Sequence, residues 1–261
     1  MDLCKADFPI CLGFRARRNL ARAGKPAVRL PEMSNFKYQH GRLTYLKKST
    51  GQERGREDWQ LTRNRDGSVT MRCLAMTDRS KFVRDVTYTR GPDGRLMDVF
   101  LRLQVGSALI GTGYFRTEAD KLTAVTDCAD TGHTVQTVSI PTDFFSIITH
   151  AVMLDGWAFF NYDRALGGEQ KRTVYYTSSR RDGTDLPLGR LGTYRLNFLG
   201  EEEITVPAGT FKAAHFTMDF DEYKVPVSHL WVAGEDKILL RYDWVDMDYE
   251  YVLTSWQTEK R

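Results

Sequence analysis

Hydrophobic and polar residues alternate along most of the chain after residue 36, the pattern of half-buried β-strands. The clearest case is residues 95–105, where Leu101 shares a face with the other apolar side chains and Arg102 lies on the opposite face. The Asp-Gly pair at 66–67 and the segment 91–94 separate alternating stretches and predict tight hairpin turns. This pattern predicts many short antiparallel strands.

Residues 141–162 depart from the alternation, because their apolar side chains recur at helical spacing. Thr142 follows a proline and offers an N-cap hydroxyl. We predict a buried helix of roughly three to four turns that ends near Gly156. A mainly β fold follows, in which a curved antiparallel sheet (a half-barrel or open barrel) wraps around this one apolar helix, so that each covers the other's apolar face.

Charge separates the first 32 residues from the rest of the chain. Residues 1–32 carry seven basic and three acidic side chains, whereas the whole chain has a net charge of +3. The body at 33–261 is therefore close to neutral and offers no basic surface for nucleic acid. We interpret 33–261 as a single domain and 1–32 as a basic tail, either an extension upstream of a start at Met33 or a targeting arm.

No apolar run approaches the roughly 20 residues that a membrane-spanning helix needs, and the N-terminus lacks the apolar stretch of a signal peptide. The sequence therefore predicts a cytoplasmic protein without stable membrane association. It contains no dinucleotide-binding glycine fingerprint, P-loop, serine-hydrolase elbow or HExxH motif, and its four cysteines form no CxxC pair. We expect neither a metal nor another cofactor.

Three polar residues share one side of the predicted helix. Asp143, Ser146 and His150 fall within about 60° of one another at helical spacing. A histidine that titrates near neutrality is the commonest general base, and a carboxylate on the same face can stabilise its charged form. The alternative is structural: Asp143 is an acid in the first turn that the helix dipole stabilises, and His150 donates a hydrogen bond to a backbone carbonyl in the core.

A second set of candidates lies on strands and just past the helix. Tyr114 and Arg116 share one strand face and, with Arg102, would bind an oxyanion or a phenol if that face were concave. If it were convex, they would be ordinary solvated residues. Trp157, just past the helix end, is either an aromatic wall of a substrate pocket or a core side chain, and Phe145, on the apolar side of the helix, is a candidate for substrate binding.

The C-terminal third carries a resemblance. Residues 200–213, which include the turn Val-Pro-Ala-Gly-Thr-Phe at 206–211, are followed by His-Leu-Trp-Val at 229–232, Leu-Arg-Tyr at 240–242 and Tyr-Val-Leu at 251–253. These segments resemble a bacterial domain family of unknown function that is similar to the lipoprotein carriers LolA and LolB. The resemblance implies a half-barrel with a helix in its concavity and a lipophilic cavity.

Two functions from different classes fit these observations. The first is a cofactor-independent lyase or isomerase in which His150, Asp143 and Tyr114 transfer protons on a small hydrophobic, aromatic metabolite, by retro-aldol, dehydration or double-bond-shift chemistry. Arg102, Ser146, Arg116, Trp157 and Phe145 would bind that metabolite. The second is a non-catalytic carrier of a lipid or other apolar ligand. A homodimer that buries the open sheet face is a third reading.

Overall fold

The alternating segments form strands, as the hydrophobic pattern predicts. The computed structural model describes residues 37–79, 81–180, 183–185, 189–220 and 226–260. The strands are β1 (Lys37–Lys47), β2 (Gln52–Arg63), β3 (Val69–Thr77), β4 (Phe82–Arg90), β5 (Leu96–Val105), β6 (Ala108–Thr117), β7 (Lys121–Cys128), β8 (Gly132–Ser139), β9 (Phe144–Ile148), β10 (Glu169–Tyr176), β11 (Arg190–Val206), β12 (Gly209–Phe220), β13 (Ser228–Ala233), β14 (Ile238–Trp244) and β15 (Tyr249–Lys260). A 3-10 helix at Val152–Phe159, termed the inner helix below, and a shorter one at Val245–Met247 complete the elements of the described residues.

The described strands form one curved open sheet of 15 strands. The order β8-β7-β6-β5-β4-β3-β2-β1-β15-β14-β13-β12-β11-β10-β9 joins two meanders, because β1 pairs with β15 at the centre. All neighbours are antiparallel except β9 and β10, which run parallel. The hairpin turns predicted at 66–67 and 91–94 are confirmed, and Gly67 (φ 85°) and Gly94 (φ 78°) supply the left-handed backbone that these turns need.

The core lies on the concave face of the sheet. In β2, Trp59 and Leu61 are buried, and in β5 the buried side chains include Val99, Leu101 and Leu103. The inner helix packs against β2, β9, β13 and β14. Its Trp157 is buried and donates from Nε1 to the carbonyl of Asp236 at 3.0 Å, which ties the helix to the loop before β14.

The helix predicted within residues 141–162 is wrong in type and position. Phe144–Ile148 is a strand, and the inner helix begins only at Val152. Between them His150 has φ 59°, a left-handed conformation that no continuous α-helix accommodates. Phe-Phe-Ser-Ile-Ile is rich in β-branched and aromatic residues, and β10 offers it a free edge, so sheet pairing prevails over the helical spacing.

The predicted tail at 1–32 lies outside the described residues. Those that are described belong to one compact unit, Ser34–Arg261. Within them no helix has the length and apolar character needed to cross a bilayer.

Candidate functional site

A cavity of about 1090 Å³ is lined by the inner helix and by strands from both meanders of the sheet. This volume is slightly above the range of a site that holds one small organic molecule, roughly 300–1,000 Å³. Its apolar and aromatic lining consists of Tyr45, Phe82, Ile148, Val152, Tyr176, Phe220, Tyr242, Trp244, Met247, Tyr249 and Tyr251. The charged side chains in the lining are Lys47, Glu53, Arg54, Asp78, Arg79, Arg84, Asp155, Arg180 and Asp248.

Asp155 places a carboxyl group in the cavity wall. It belongs to the inner helix, where its neighbours on both sides are buried and apolar. No residue that the structure describes donates a hydrogen bond to this carboxyl group. Burial raises the pKa of Asp155 well above its ordinary value, the nearby Glu57 raises it further, and Arg84 opposes the rise. Asp155 therefore stays protonated at pH values where an exposed aspartate is ionised.

His150 borders the same cavity but is electrically neutral at pH 7. Burial lowers the pKa of its imidazole to about 3, the positive charge of Arg84 contributes, and Asp185 opposes the shift. Its Nε2 is buried and has no hydrogen-bond partner among the described residues. A histidine in this state can give or accept a hydrogen bond, but it is a poor general base.

Arg84 fixes the backbone around His150. Phe82, Arg84 and Val86 point inward from β4, and Arg84 is only 2% exposed. Its Nη1 donates to the carbonyl of His150 at 2.8 Å, and its Nη2 donates to the carbonyl of Gly183. A Cβ at Gly183 (φ 67°) would lie 2.6 Å from that Nη2 and 2.6 Å from the His150 ring, so this close approach requires glycine.

Glu57 anchors the start of the inner helix. Its carboxylate accepts the backbone N–H groups of Val152 (2.8 Å) and Met153 (2.9 Å) and the hydroxyl of Tyr45 (2.5 Å). The first N–H groups of a helix have no partner within it, and here a side chain from β2 supplies one. Burial raises the pKa of Glu57, while these hydrogen bonds act against the rise.

The structure does not form the predicted line of Asp143, Ser146 and His150. Asp143 is exposed and accepts from Thr173 at 3.0 Å, while Ser146 is buried and hydrogen-bonded to the hydroxyl of Tyr88 at 2.9 Å. Only His150 reaches the cavity. The line fails because it assumed helical geometry for residues that form a strand and a left-handed turn.

The other predicted site residues also lie outside the cavity lining. Tyr114 and Arg116 are exposed and Arg102 is half-buried, opposite the buried face of β5 and β6, so the face they share is convex. Phe145 and Trp157 are core side chains, since both are almost fully buried. Phe145 packs under the guanidinium of Arg90, whose Cζ lies 4.7 Å from the ring centroid.

Sequence reasoning missed Arg84, Glu57 and Asp155, although each carries a signal. Arg84 is in phase with the inward Phe82 and Val86, and Glu57 is in phase with Trp59, so strict alternation already places both charges on the apolar face. Asp155 interrupts a long apolar run, which marks a charge that must be buried or must face a cavity. Within the described parts of the chain, no group of three or more His, Cys, Asp and Glu side chains is arranged to hold a metal ion.

Comparison with known proteins identifies the fold. The structure is similar to a β-barrel-like protein of the domain of unknown function DUF1849 from Brucella abortus, with a TM-score of 0.53 and 12% identity over 87% of this chain and 98% of that one. A DUF1089 family protein from Pseudomonas aeruginosa aligns with a TM-score of 0.41 and 12% identity, over 72% of this chain and 90% of that one. The sequence matches no protein-family model and no curated protein. The chain thus shares a β-barrel-like fold with a bacterial protein of unknown function, and the finer likeness to lipoprotein carriers stays a prediction.

Proposed function

We propose that the protein is a cofactor-independent lyase or isomerase that transfers protons on a small hydrophobic, aromatic molecule bound in the cavity. The observation that carries this proposal is the Asp155 carboxyl group, which lines a cavity with many aromatic side chains and accepts no hydrogen bond from the described residues. An acid whose pKa is moved upward by burial is suited to general acid/base catalysis near neutral pH.

The surroundings assign different roles to three groups. Asp155 gives a proton to the substrate and takes one back, which is what a retro-aldol cleavage, a dehydration or a double-bond shift requires without net oxidation. Arg84 stabilises negative charge that develops on a substrate oxygen, because its position is fixed by two main-chain carbonyls. His150, neutral at pH 7, orients the substrate by a hydrogen bond instead of acting as the base predicted from the sequence.

The test compares two Asp→Asn variants on a panel of aromatic compounds that carry a 1,3-diol or a β-hydroxyl group. Products, including any one-carbon aldehyde released, are followed by NMR. Asp155→Asn should reduce turnover about 100-fold or more, the usual contribution of a general acid or base. Asp143→Asn, the matched change at an exposed aspartate, should leave turnover within twofold. Full activity of a folded Asp155→Asn variant would overturn the proposal.

A carrier of an apolar ligand is the second candidate, favoured by the size of the cavity and by the aromatic side chains in its lining. A carrier would release its ligand chemically unchanged and would bind it equally well after Asp155→Asn. Ile148→Trp, which fills the cavity from its wall, should abolish binding in both cases. A homodimer that covers the open sheet face remains a prediction, checked by the mass of the protein in solution.

A further inference from the structure

Strand β2 contains a bulge at Arg54. Tyr45 of β1 pairs with Gly55 and Leu46 pairs with Glu53, so Arg54 has no partner across this ladder. An extra residue in a bulge leaves the regular alternation and its side chain is re-aimed. Arg54 accordingly lines the cavity. Arg56, two residues further on, does not line it and lies close to the carboxylates of Glu53 and Asp78.

Tyrosine rings hold the Arg54 guanidinium in place. Its Cζ lies 3.4 Å from the ring centroid of Tyr249, and its Nη2 donates to the hydroxyl of Tyr251 at 2.9 Å. Its Nε is buried and has no hydrogen-bond partner among the described residues. None of the carboxylates that the structure describes forms an ion pair with Arg54. A half-buried guanidinium is therefore left with a neutral hydroxyl and aromatic faces.

Three other acids that line the cavity, Glu53, Asp78 and Asp248, lie close to cations other than Arg54. Glu53 and Asp78 lie 4.0 Å and 3.7 Å from Arg56. Asp248 accepts from the hydroxyl and N–H of Ser49 and lies 4.0 Å from Lys47. Among the described residues no carboxylate therefore neutralises the positive charge of Arg54, and burial of an unpaired charge is costly unless a ligand supplies its counter-charge.

We propose that Arg54 binds the anionic group of an amphipathic organic anion, whose aromatic or hydrocarbon body extends into the cavity toward Asp155. A guanidinium fork suits a carboxylate or a sulfonate, since it presents parallel N–H donors to both oxygens. Arg54, Tyr251 and Asp155 line the same cavity, and Arg54 donates to the hydroxyl of Tyr251. The inference deepens the proposed function by giving its substrate class, and binding alone can test it.

Two fluorescent probes with the same aromatic skeleton separate the charge from the apolar body. 8-Anilinonaphthalene-1-sulfonate carries an anion, and N-phenyl-1-naphthylamine lacks it. The Kd of each is measured by titration of wild type, Arg54→Met and Arg56→Met. Arg54→Met should weaken binding of the sulfonate by about 10- to 100-fold, the range for a charge-assisted hydrogen bond, and leave the neutral probe within threefold.

Arg56→Met is the matched control, because it removes the same charge from the same strand outside the cavity lining. The Kd of the neutral probe should stay within twofold of wild type, and the Kd of the sulfonate should change less than in Arg54→Met. Equal losses for both probes in Arg54→Met, or no loss for either, would overturn the proposal. If Arg54→Met fails to fold, Arg54→Lys takes its place. Binding of the sulfonate to Arg54→Lys should weaken as the salt concentration rises, whereas binding of the neutral probe should not depend on salt. Salt-independent binding of both probes would overturn it equally. Turnover does not enter these measurements, so failure of the acid/base proposal would leave them interpretable.

Discussion

Two acids meet the inner helix, the fully buried Glu57 and the partly exposed Asp155, and their surroundings differ. Glu57 accepts three hydrogen bonds, two of them from the first backbone N–H groups of the helix. Asp155, within the same helix, accepts none from the described residues and faces the cavity. Burial raises the pKa of both. An acid whose hydrogen-bond donors all belong to the protein holds the fold together, whereas Asp155, which accepts no hydrogen bond from the described residues, is left for a ligand.

The largest expected effect is on the partnered acid. Glu57→Ala leaves the Tyr45 hydroxyl and the N–H groups of Val152 and Met153 without an acceptor, so the free energy of unfolding should fall by about 3 kcal/mol or more. Urea denaturation measures this loss. Glu53→Ala, an exposed acid on the same strand, should change stability by less than about 0.5 kcal/mol. A loss below about 1 kcal/mol in Glu57→Ala would show that this carboxylate does not anchor the helix.

Substitution of Asp155, which accepts no hydrogen bond from the described residues, should raise the free energy of unfolding instead of lowering it. Because its pKa in the folded protein lies well above the ordinary 3.8, folded Asp155 keeps a proton that the unfolded chain releases above about pH 4. The stability that the protonated Asp155 carboxyl group contributes to the wild-type protein is therefore lost as the pH rises above about 4. Asparagine cannot titrate, so Asp155→Asn should gain stability relative to wild type by up to about 1.4 kcal/mol per pH unit.

Urea curves of the two proteins at several pH values between about 4 and 8 check this slope. The stability difference between variant and wild type is the informative quantity, since other titrating groups cancel from it. A difference that does not change with pH would mean that the Asp155 carboxyl titrates alike in the folded and unfolded chains.

The strands were predictable because alternation is a local signal. In β5 the apolar face read from the sequence is the buried face, and the turns at 66–67 and 91–94 lie where glycine was expected. The structure of residues 141–162 could not be predicted in this way, because a short apolar run fits a strand or a helix equally well. What decides between them is the edge of β10, about 30 residues further along the chain, which no local pattern contains.

The residues of the site likewise divide into those that the sequence could predict and those that it could not. Arg84 and Glu57 follow the phase of their strands, so their burial is readable from sequence once the inward face is known. Arg54 is not readable, because its direction depends on a bulge in the register between β1 and β2. Asp143, Ser146 and His150 failed as a group because their common face existed only for an α-helix.

The smallest effects are expected where the sequence pointed to the wrong face. Tyr114 and Arg116 lie on the convex side of β6, with Phe100 and Asp98 as their cross-strand neighbours. Truncation of either to alanine removes only contacts with exposed or half-buried neighbours on β5 and β7, so stability should fall by less than about 1 kcal/mol. Turnover and probe binding should stay within twofold of wild type, because neither side chain lines the cavity.

Phe115, the residue between them, supplies the matched comparison. It points to the concave side and is 1% exposed, so Phe115→Ala should cost about 3 kcal/mol or more, as large-to-small changes in a core do. The free energies of unfolding of the three variants, measured by urea denaturation, therefore show which side chains of β6 face the core. A loss of turnover in Tyr114→Ala or Arg116→Ala with unchanged stability would place chemistry on the convex face, and the cavity around Asp155 would then no longer account for the activity.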